Sequence, residues 1–170
     1  LYFKKQSIMK KKNLSVKKII HNFYFKKLDD PRIKRIYLNF KKKISSHVPN
    51  SFCVAVSGGV DSMALSFLAK CYSLENNKKV YFFIVDHKLR KNSTFEANLV
   101  KKKLKLFQIY SNVLTIKKIN KKINLQSFAR DNRYKLIINQ SLTKKIDVIL
   151  TAHHKDCLLY TSDAADELRS

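Results

Sequence analysis

Phe52-Cys53-Val54-Ala55-Val56-Ser57-Gly58-Gly59-Val60-Asp61-Ser62 is the stretch whose reading decides the fold. A short apolar run, Phe52 to Ser57, closed by two glycines has the pattern of a buried parallel strand feeding a turn, since a strand covered on both faces needs no polar alternation. Beyond the turn Val60, Met63, Ala64, Phe67, Leu68 and Cys71 recur at spacings of three and four, the pattern of a helix burying one face. The unit is strand, glycine turn, helix.

Downstream the unit repeats in kind. Val80 to Asp86 reads as a second apolar strand, Ala97, Val100, Leu104 and Phe107 as a second helix, and Ile109 to Ile116 as a weaker third strand. Leu125, Ala129, Leu136 and Gln140 outline a third helix, and Val148 to Ala152 a fourth strand. Strands alternating with helices predict an α/β fold, a parallel sheet with helices on both faces in a Rossmann-like arrangement. Right-handed crossovers line up the strand C-terminal ends along one edge, where such sheets bind ligands.

Upstream the pattern is helical. Val16, Ile19, Ile20 and Phe23 predict one amphipathic helix, with Lys17 and Lys18 on its other side. Asp29 and Asp30 before Pro31 form a helix start, and Ile33, Ile36, Tyr37, Phe40 and Ile44 make the stripe of a second helix ending near Ser45. Its outer face carries Lys34, Arg35, Lys41, Lys42 and Lys43, which suits phosphates, an anionic membrane or plain solvent.

The 170 residues hold 36 Lys and Arg against 12 Asp and Glu, a net charge of +24. That excess points to a polyanion partner, although the compositional drift of an AT-rich coding sequence toward lysine gives the same bias. No apolar run is long enough to span a bilayer and no secretion signal is visible, so a soluble cytoplasmic protein without membrane association is expected. Cys53, Cys71 and Cys157 stand far apart and odd in number, which excludes a disulfide framework or a paired-cysteine metal site; they read as small buried hydrophobes.

Three clusters of reactive residues fall at predicted strand ends: Ser57 to Ser62, Asp86 to Arg90, and His153 to Asp156. In the first, glycines let the main chain reach positive φ and approach a ligand, and the helix start offers free N–H groups to phosphate. It is not a Walker loop, which needs Gly-Lys-Ser/Thr. Asp61 stands where a lysine would, which suggests an intervening magnesium ion, the alternative being a turn in which Asp61 caps the helix. Arg130, Arg133 and Tyr134 fall at i, i+3 and i+4 and share a helix face, suited to clamping phosphate or a base, or else to a surface ion pair with Asp131 or Asp147. Adjacent His153 and His154 diverge at a strand end, so polar contacts to substrate and magnesium are favoured over a zinc site with Asp156.

Ser57-Gly58-Gly59-Val60-Asp61-Ser62 resembles the pyrophosphatase loop of the N-type ATP pyrophosphatases, the PP-loop superfamily with an adenine nucleotide alpha hydrolase-like fold. Ile84-Val85-Asp86-His87-Lys88-Leu89-Arg90, Ala129-Arg130-Asp131-Asn132-Arg133-Tyr134 and Thr151-Ala152-His153-His154-Lys155-Asp156 are similar, in order and spacing, to the successive motifs of the tRNA(Ile)-lysidine synthetases. The resemblance implies ATP-dependent ligation of L-lysine to C2 of the wobble cytidine of tRNA(Ile) with a CAU anticodon, through an adenylated intermediate, which changes decoding from AUG to AUA. It implies ATP and magnesium as cofactors and admits a homodimer. By the same resemblance Ser57, Gly58, Gly59, Val60, Asp61 and Ser62, with Asp86 and His87, bind the nucleotide. Arg130, Arg133, His153 and His154 contact substrate. Asp61, Arg130 and Asp156 are the catalytic candidates, with magnesium on Asp61 and Asp156. The alternatives are a tRNA thiolase of the same superfamily, which the absence of paired cysteines opposes, and a non-catalytic basic RNA-binding module.

Two departures stand out. Lys88 occupies a position that is usually glycine in that family, and the last motif breaks off after Asp156, with Cys157 in place of a second aspartate. The expected organisation is therefore upstream read-through at 1–8 before Met9, basic amphipathic helices at 9–50, and an ATP-binding domain at 51–156 truncated after its fourth strand. A foreign tail is expected at 157–170. That tail lacks Lys, Asn and Ile and resembles translated sequencing adapter. A chain so cut is expected to fold poorly, with an uncovered sheet edge, and to be inactive.

Overall fold

A computed structural model describes residues 18–48, 50–116, 125–146 and 148–152, with the backbone alone for 125–130. The chain divides into two compact units, residues 1–43 and 44–170.

In the first unit residues 18–27 form helix α1 and Pro31–Ile44 begins α2, which ends one residue into the second unit. Asp30 caps α2 as the sequence predicts: its Oδ1 accepts the Arg32 N–H at 2.8 Å, and its Oδ2 pairs with the Arg32 guanidinium at 3.0 Å. The side-chain and backbone hydrogen bonds from Arg32 hold the Asp30 carboxyl below its ordinary range. Along α2, Tyr37 and Ile44 are buried and Ile33 and Phe40 half-buried, but Ile36 lies outside the stripe and is exposed. In α1 the expected face is rotated. Tyr24, with Leu28 just beyond the helix, is buried, while Ile19 and Phe23 face solvent.

The second unit is the predicted parallel sheet. Strands β1 (Ser51–Val56), β2 (Lys79–Asp86), β3 (Asn112–Thr115) and β4 (Ile149–Thr151) lie in the order β3-β2-β1-β4, all parallel. Helices α3 (Val60–Glu75), α4 (Ser93–Leu106) and α5 (Leu125–Thr143) connect them. Pleating divides β1 between two cores. Phe52 meets Tyr72 of α3 edge to face on one side, and Cys53 packs with Phe83, Tyr134, Ile137, Ile138, Ile146 and Ile149 under α5 on the other. Helices thus cover both faces.

Cys71 of α3 is buried as expected, but the rest of its inward face differs from the one expected. Ser62, Leu65, Ser66, Ala69, Tyr72 and Ser73 turn inward, while Val60 is 85% exposed and Met63, Phe67 and Leu68 are half-buried. Small residues let the helix lie close to the sheet, and the Ser66 hydroxyl satisfies itself on the Ser62 carbonyl at 2.7 Å. Burial is therefore cheap for these serines, which apolar periodicity does not register.

The strand order turns around β1: β2 and β3 extend to one side and β4 to the other. A crevice forms at the carboxyl ends of strands where successive connections part in this way. The glycine turn leaves β1 at that point.

Candidate nucleotide site

A cleft of about 220 Å³ opens at the carboxyl ends of β1, β2 and β4. Ser57 and Ser62 line it from the turn, His87 from the end of β2, Glu96 and Val100 from α4, Arg133 and Tyr134 from α5, and Thr151 from β4. Two of the three clusters read from strand ends thus share one cavity, and the third, His153 to Asp156, lies outside the described residues.

The turn is held by one hydroxyl. Ser62 Oγ donates to the Gly59 carbonyl at 2.9 Å and accepts the Gly58 N–H at 3.1 Å and the Ser57 hydroxyl at 3.2 Å. Its one proton and two lone pairs are therefore all used, and Ser62 shapes the loop from within. Gly58 has φ +90°, and a Cβ there would stand 2.4 Å from Val100 Cγ2. Gly59 is extended, and a Cβ on it would meet only Ser57 Oγ at 3.8 Å. The first glycine serves the backbone, and the second leaves open space before the helix.

Gly59 is the N-cap of α3 and has no side chain with which to cap it, and N–H groups of the first turn lack intrahelical acceptors and carry the positive end of the dipole. This arrangement fits a phosphate. Asp61 is exposed in that first turn, and the Val60 side chain points to solvent, which leaves Val60 only its backbone to offer. Among the described residues no three His, Cys, Asp or Glu side chains gather as a metal site. A magnesium ion at Asp61 would draw most of its oxygen ligands from phosphate and water, which suits that ion.

At the end of β2 the two expected nucleotide ligands behave differently. Asp86 is buried and committed: Oδ1 accepts the Lys88 N–H at 3.0 Å, and Oδ2 accepts the Thr94 hydroxyl at 2.8 Å and pairs with the Lys88 ammonium at 3.3 Å. Burial alone would raise its carboxyl, but the hydrogen bonds from Thr94 and Lys88 outweigh that and hold it below the ordinary range. His87 instead faces the cleft, where its Nε2 accepts from Arg133 at 3.1 and 3.3 Å while Nδ1 is buried with no hydrogen-bond partner among the described residues. Burial, then the neighbouring guanidinium, push the imidazole below its usual value, against a weaker opposite pull from Asp86.

Of the remaining candidates, Arg133 reaches the cleft and Arg130 lies on the backbone of α5. His153, His154 and Asp156, with the tail from Cys157, lie outside the described residues. Two threonines add to the candidates: Thr151, which opens the last motif without a role read for it, and Thr94. The Thr151 hydroxyl is buried beside the cleft with no partner among the described residues, and Thr94 binds the Asp86 carboxylate. A Ser-Thr pair just before an apolar helical run is a helix-start signal and would have pointed to Thr94. Cys53 and Cys71 are buried, and burial pushes each thiol up to about 12.

Comparison with known proteins agrees with this geometry. The chain is 35% identical over 125 residues to the tRNA(Ile)-lysidine synthase of Rickettsia rickettsii (strain Sheila Smith), covering 71% of this chain and 26% of that protein. It is 37% identical over 132 residues to the synthase of Rickettsia typhi (strain Wilmington), covering 71% and 29%. The chain thus spans about a quarter of the length of the curated relatives it matches. A U34-tRNA thiolase from Methanococcus maripaludis, solved with its [4Fe-4S] cluster, shares the fold at a TM-score of 0.63 and 20% identity, over 72% of this chain and 46% of that one. Matched by a family model from residue 31 to residue 162, through every strand of the sheet and the turn that opens the cleft, the chain belongs to the PP-loop domain family.

Proposed function

We propose that this chain is the ATP-binding portion of a cytoplasmic tRNA(Ile)-lysidine synthase. In that reading ATP adenylates the C2 oxygen of the wobble cytidine of tRNA(Ile) with a CAU anticodon and pyrophosphate departs. The amine of L-lysine then attacks the same carbon, releasing AMP and leaving lysidine. The observation that carries the reading is the start of α3, with Gly58 and Gly59 before it, opening on a cleft that also holds Arg133 and His87. Its support from relatives is the similarity to lysidine synthases over 71% of the chain.

The roles follow from the chemistry of each group. The N–H groups at Gly59 to Ser62 receive phosphate oxygens, and the helix dipole stabilises charge that moves onto the departing pyrophosphate. Arg133, with Arg130 one turn before it on α5, supplies cations for phosphate or the cytidine. Magnesium, held by Asp61 and Asp156, would neutralise pyrophosphate charge. Neutral His87 and the Thr151 hydroxyl offer hydrogen bonds without adding charge to the cleft. A sulfur-transfer reading has less support, since Cys53 and Cys71 are buried thiols pushed up to about 12.

The test is ATP–pyrophosphate exchange on the full-length protein with tRNA(Ile), followed by mass analysis of the wobble base. Exchange together with the mass gain of lysine is expected. A sulfur-for-oxygen mass change would replace the reading with thiolation, and tRNA binding without exchange would leave an RNA-binding module.

A further inference from the structure

The loop between β2 and α4 contains a residue whose backbone and side chain pull in opposite directions. Lys88 has φ +53°, a left-handed conformation that L side chains adopt at a cost and glycine adopts freely. The same residue sends its N–H to Asp86 Oδ1 at 3.0 Å and its ammonium to Asp86 Oδ2 at 3.3 Å and to the Thr94 hydroxyl. Thr94 in turn donates to that Oδ2 at 2.8 Å, which closes a small ring between the end of β2 and the first turn of α4. The Asp86 side chain is 1% exposed and that of Lys88 45%. The ammonium therefore neutralises a buried carboxylate while staying hydrated on its outer side, which keeps its own desolvation cost low.

His87 lies between the two paired residues in sequence. With Asp86 and Lys88 fixed to each other behind it, its ring is directed away from them, into the cleft and onto Arg133. We propose that Lys88 is a positioning residue: its ammonium, bridged through Thr94 to the buried Asp86 carboxylate, holds the left-handed turn that keeps His87 facing the nucleotide cleft. In this chain an ion pair supplies what backbone freedom would supply were the residue glycine. The structural part stands on the contacts above, and its effect on ATP rests on the proposed function.

The two halves of the device separate by substitution. Lys88→Met keeps the backbone cost and removes the charge, so the turn should open and His87 should leave the cleft. Lys88→Gly removes both the charge and the cost, so the turn should persist. Thr94→Val removes the bridge and should act like Lys88→Met, more weakly. Two readouts on the full-length protein are needed. The first is the titration of the His87 ring by NMR, assigned by its loss in His87→Gln, with Arg133, Asp86 and Glu96 as the charged groups around it. The second is ATP affinity by calorimetry. In Lys88→Met the His87 titration should rise toward that of a free imidazole and ATP affinity fall about tenfold, equivalent to roughly 1.4 kcal/mol. Lys88→Gly should keep the depressed titration. An unchanged titration in Lys88→Met, or a rise as large in Lys88→Gly, overturns the proposal. If the parent protein binds no ATP, the proposed function fails while the titration still decides the role of Lys88.

Discussion

The Arg133 guanidinium on α5 donates to Nε2 of His87 at the end of β2, and so fixes the imidazole as the Nδ1–H tautomer, with its proton on a buried nitrogen that has no partner among the described residues. A cation on Nε2 would face another cation, and burial already disfavours the charged ring.

The pH dependence has a definite sign. The folded His87 titrates below its unfolded value of about 6.5, so its contribution to stability is present above that value and lost as pH falls through the folded pKa. The urea midpoint should therefore drop between about pH 7 and pH 5. Arg133→Met should lift the His87 titration and reduce part of that drop, with burial, the larger cause, accounting for the remainder. An unmoved titration in Arg133→Met would remove the pairing from the account.

The two glycines should separate into a folding residue and a ligand residue. Gly58→Ala places a Cβ at φ +90° and 2.4 Å from Val100 Cγ2, so it should cost about 2 kcal/mol in urea unfolding. Gly59→Ala meets nothing nearer than 3.8 Å and should cost under about 0.5 kcal/mol. Gly59→Val should fold yet bind no ATP, because its branches fill the space before the helix start. Calorimetry showing parental ATP affinity in Gly59→Val would sink the phosphate assignment.

Ser62 is expected to matter through the loop. Ser62→Ala strands the Gly58 N–H and frees the Ser57 hydroxyl, at a cost of about 1–2 kcal/mol. Hydrogen exchange at the Gly58 amide should accelerate in the variant. Exchange as slow as in the parent protein would mean that another group holds the turn.

How much of this was legible in sequence depends on which force wrote each feature. The sheet was legible, since Phe52 to Val56 and Val80 to Val85 are buried or half-buried at every position and read as unbroken apolar runs. The inward face of α3 was not, because Ser62, Ser66 and Ser73 are chosen there for smallness and hide their hydroxyls in local bonds. The cleft was legible in part, since Ser57, Ser62 and His87 from two of the expected clusters line it, while His153 to Asp156 lies outside the described residues. The commitment of Asp86 was not, because its partner Thr94 lies eight residues away across a loop, a pairing no periodicity encodes. Lys88 was visible as a departure from glycine, but its ion pair with Asp86 depends on a turn geometry that no local pattern announces.

The last prediction concerns the basic end of α2. Lys41, Lys42 and Lys43 form its final turn, with Lys42 and Lys43 exposed, in a chain of net charge +24. Cations there also complement the helix dipole, so their presence alone does not mark a nucleic-acid surface. The salt dependence of tRNA binding separates the two roles, because each phosphate a lysine neutralises releases counterions and steepens the fall of log K with log salt concentration. Replacing all three with glutamine should flatten that slope by about 2 if they touch phosphate, and weaken binding to different tRNAs alike. Loss of the dipole interaction alone would lower stability by a few tenths of a kcal/mol per residue and leave the slope unaltered. The slope, measured on the full-length protein by filter binding at several potassium concentrations, is the deciding quantity: an unaltered value makes these lysines a solvated helix end.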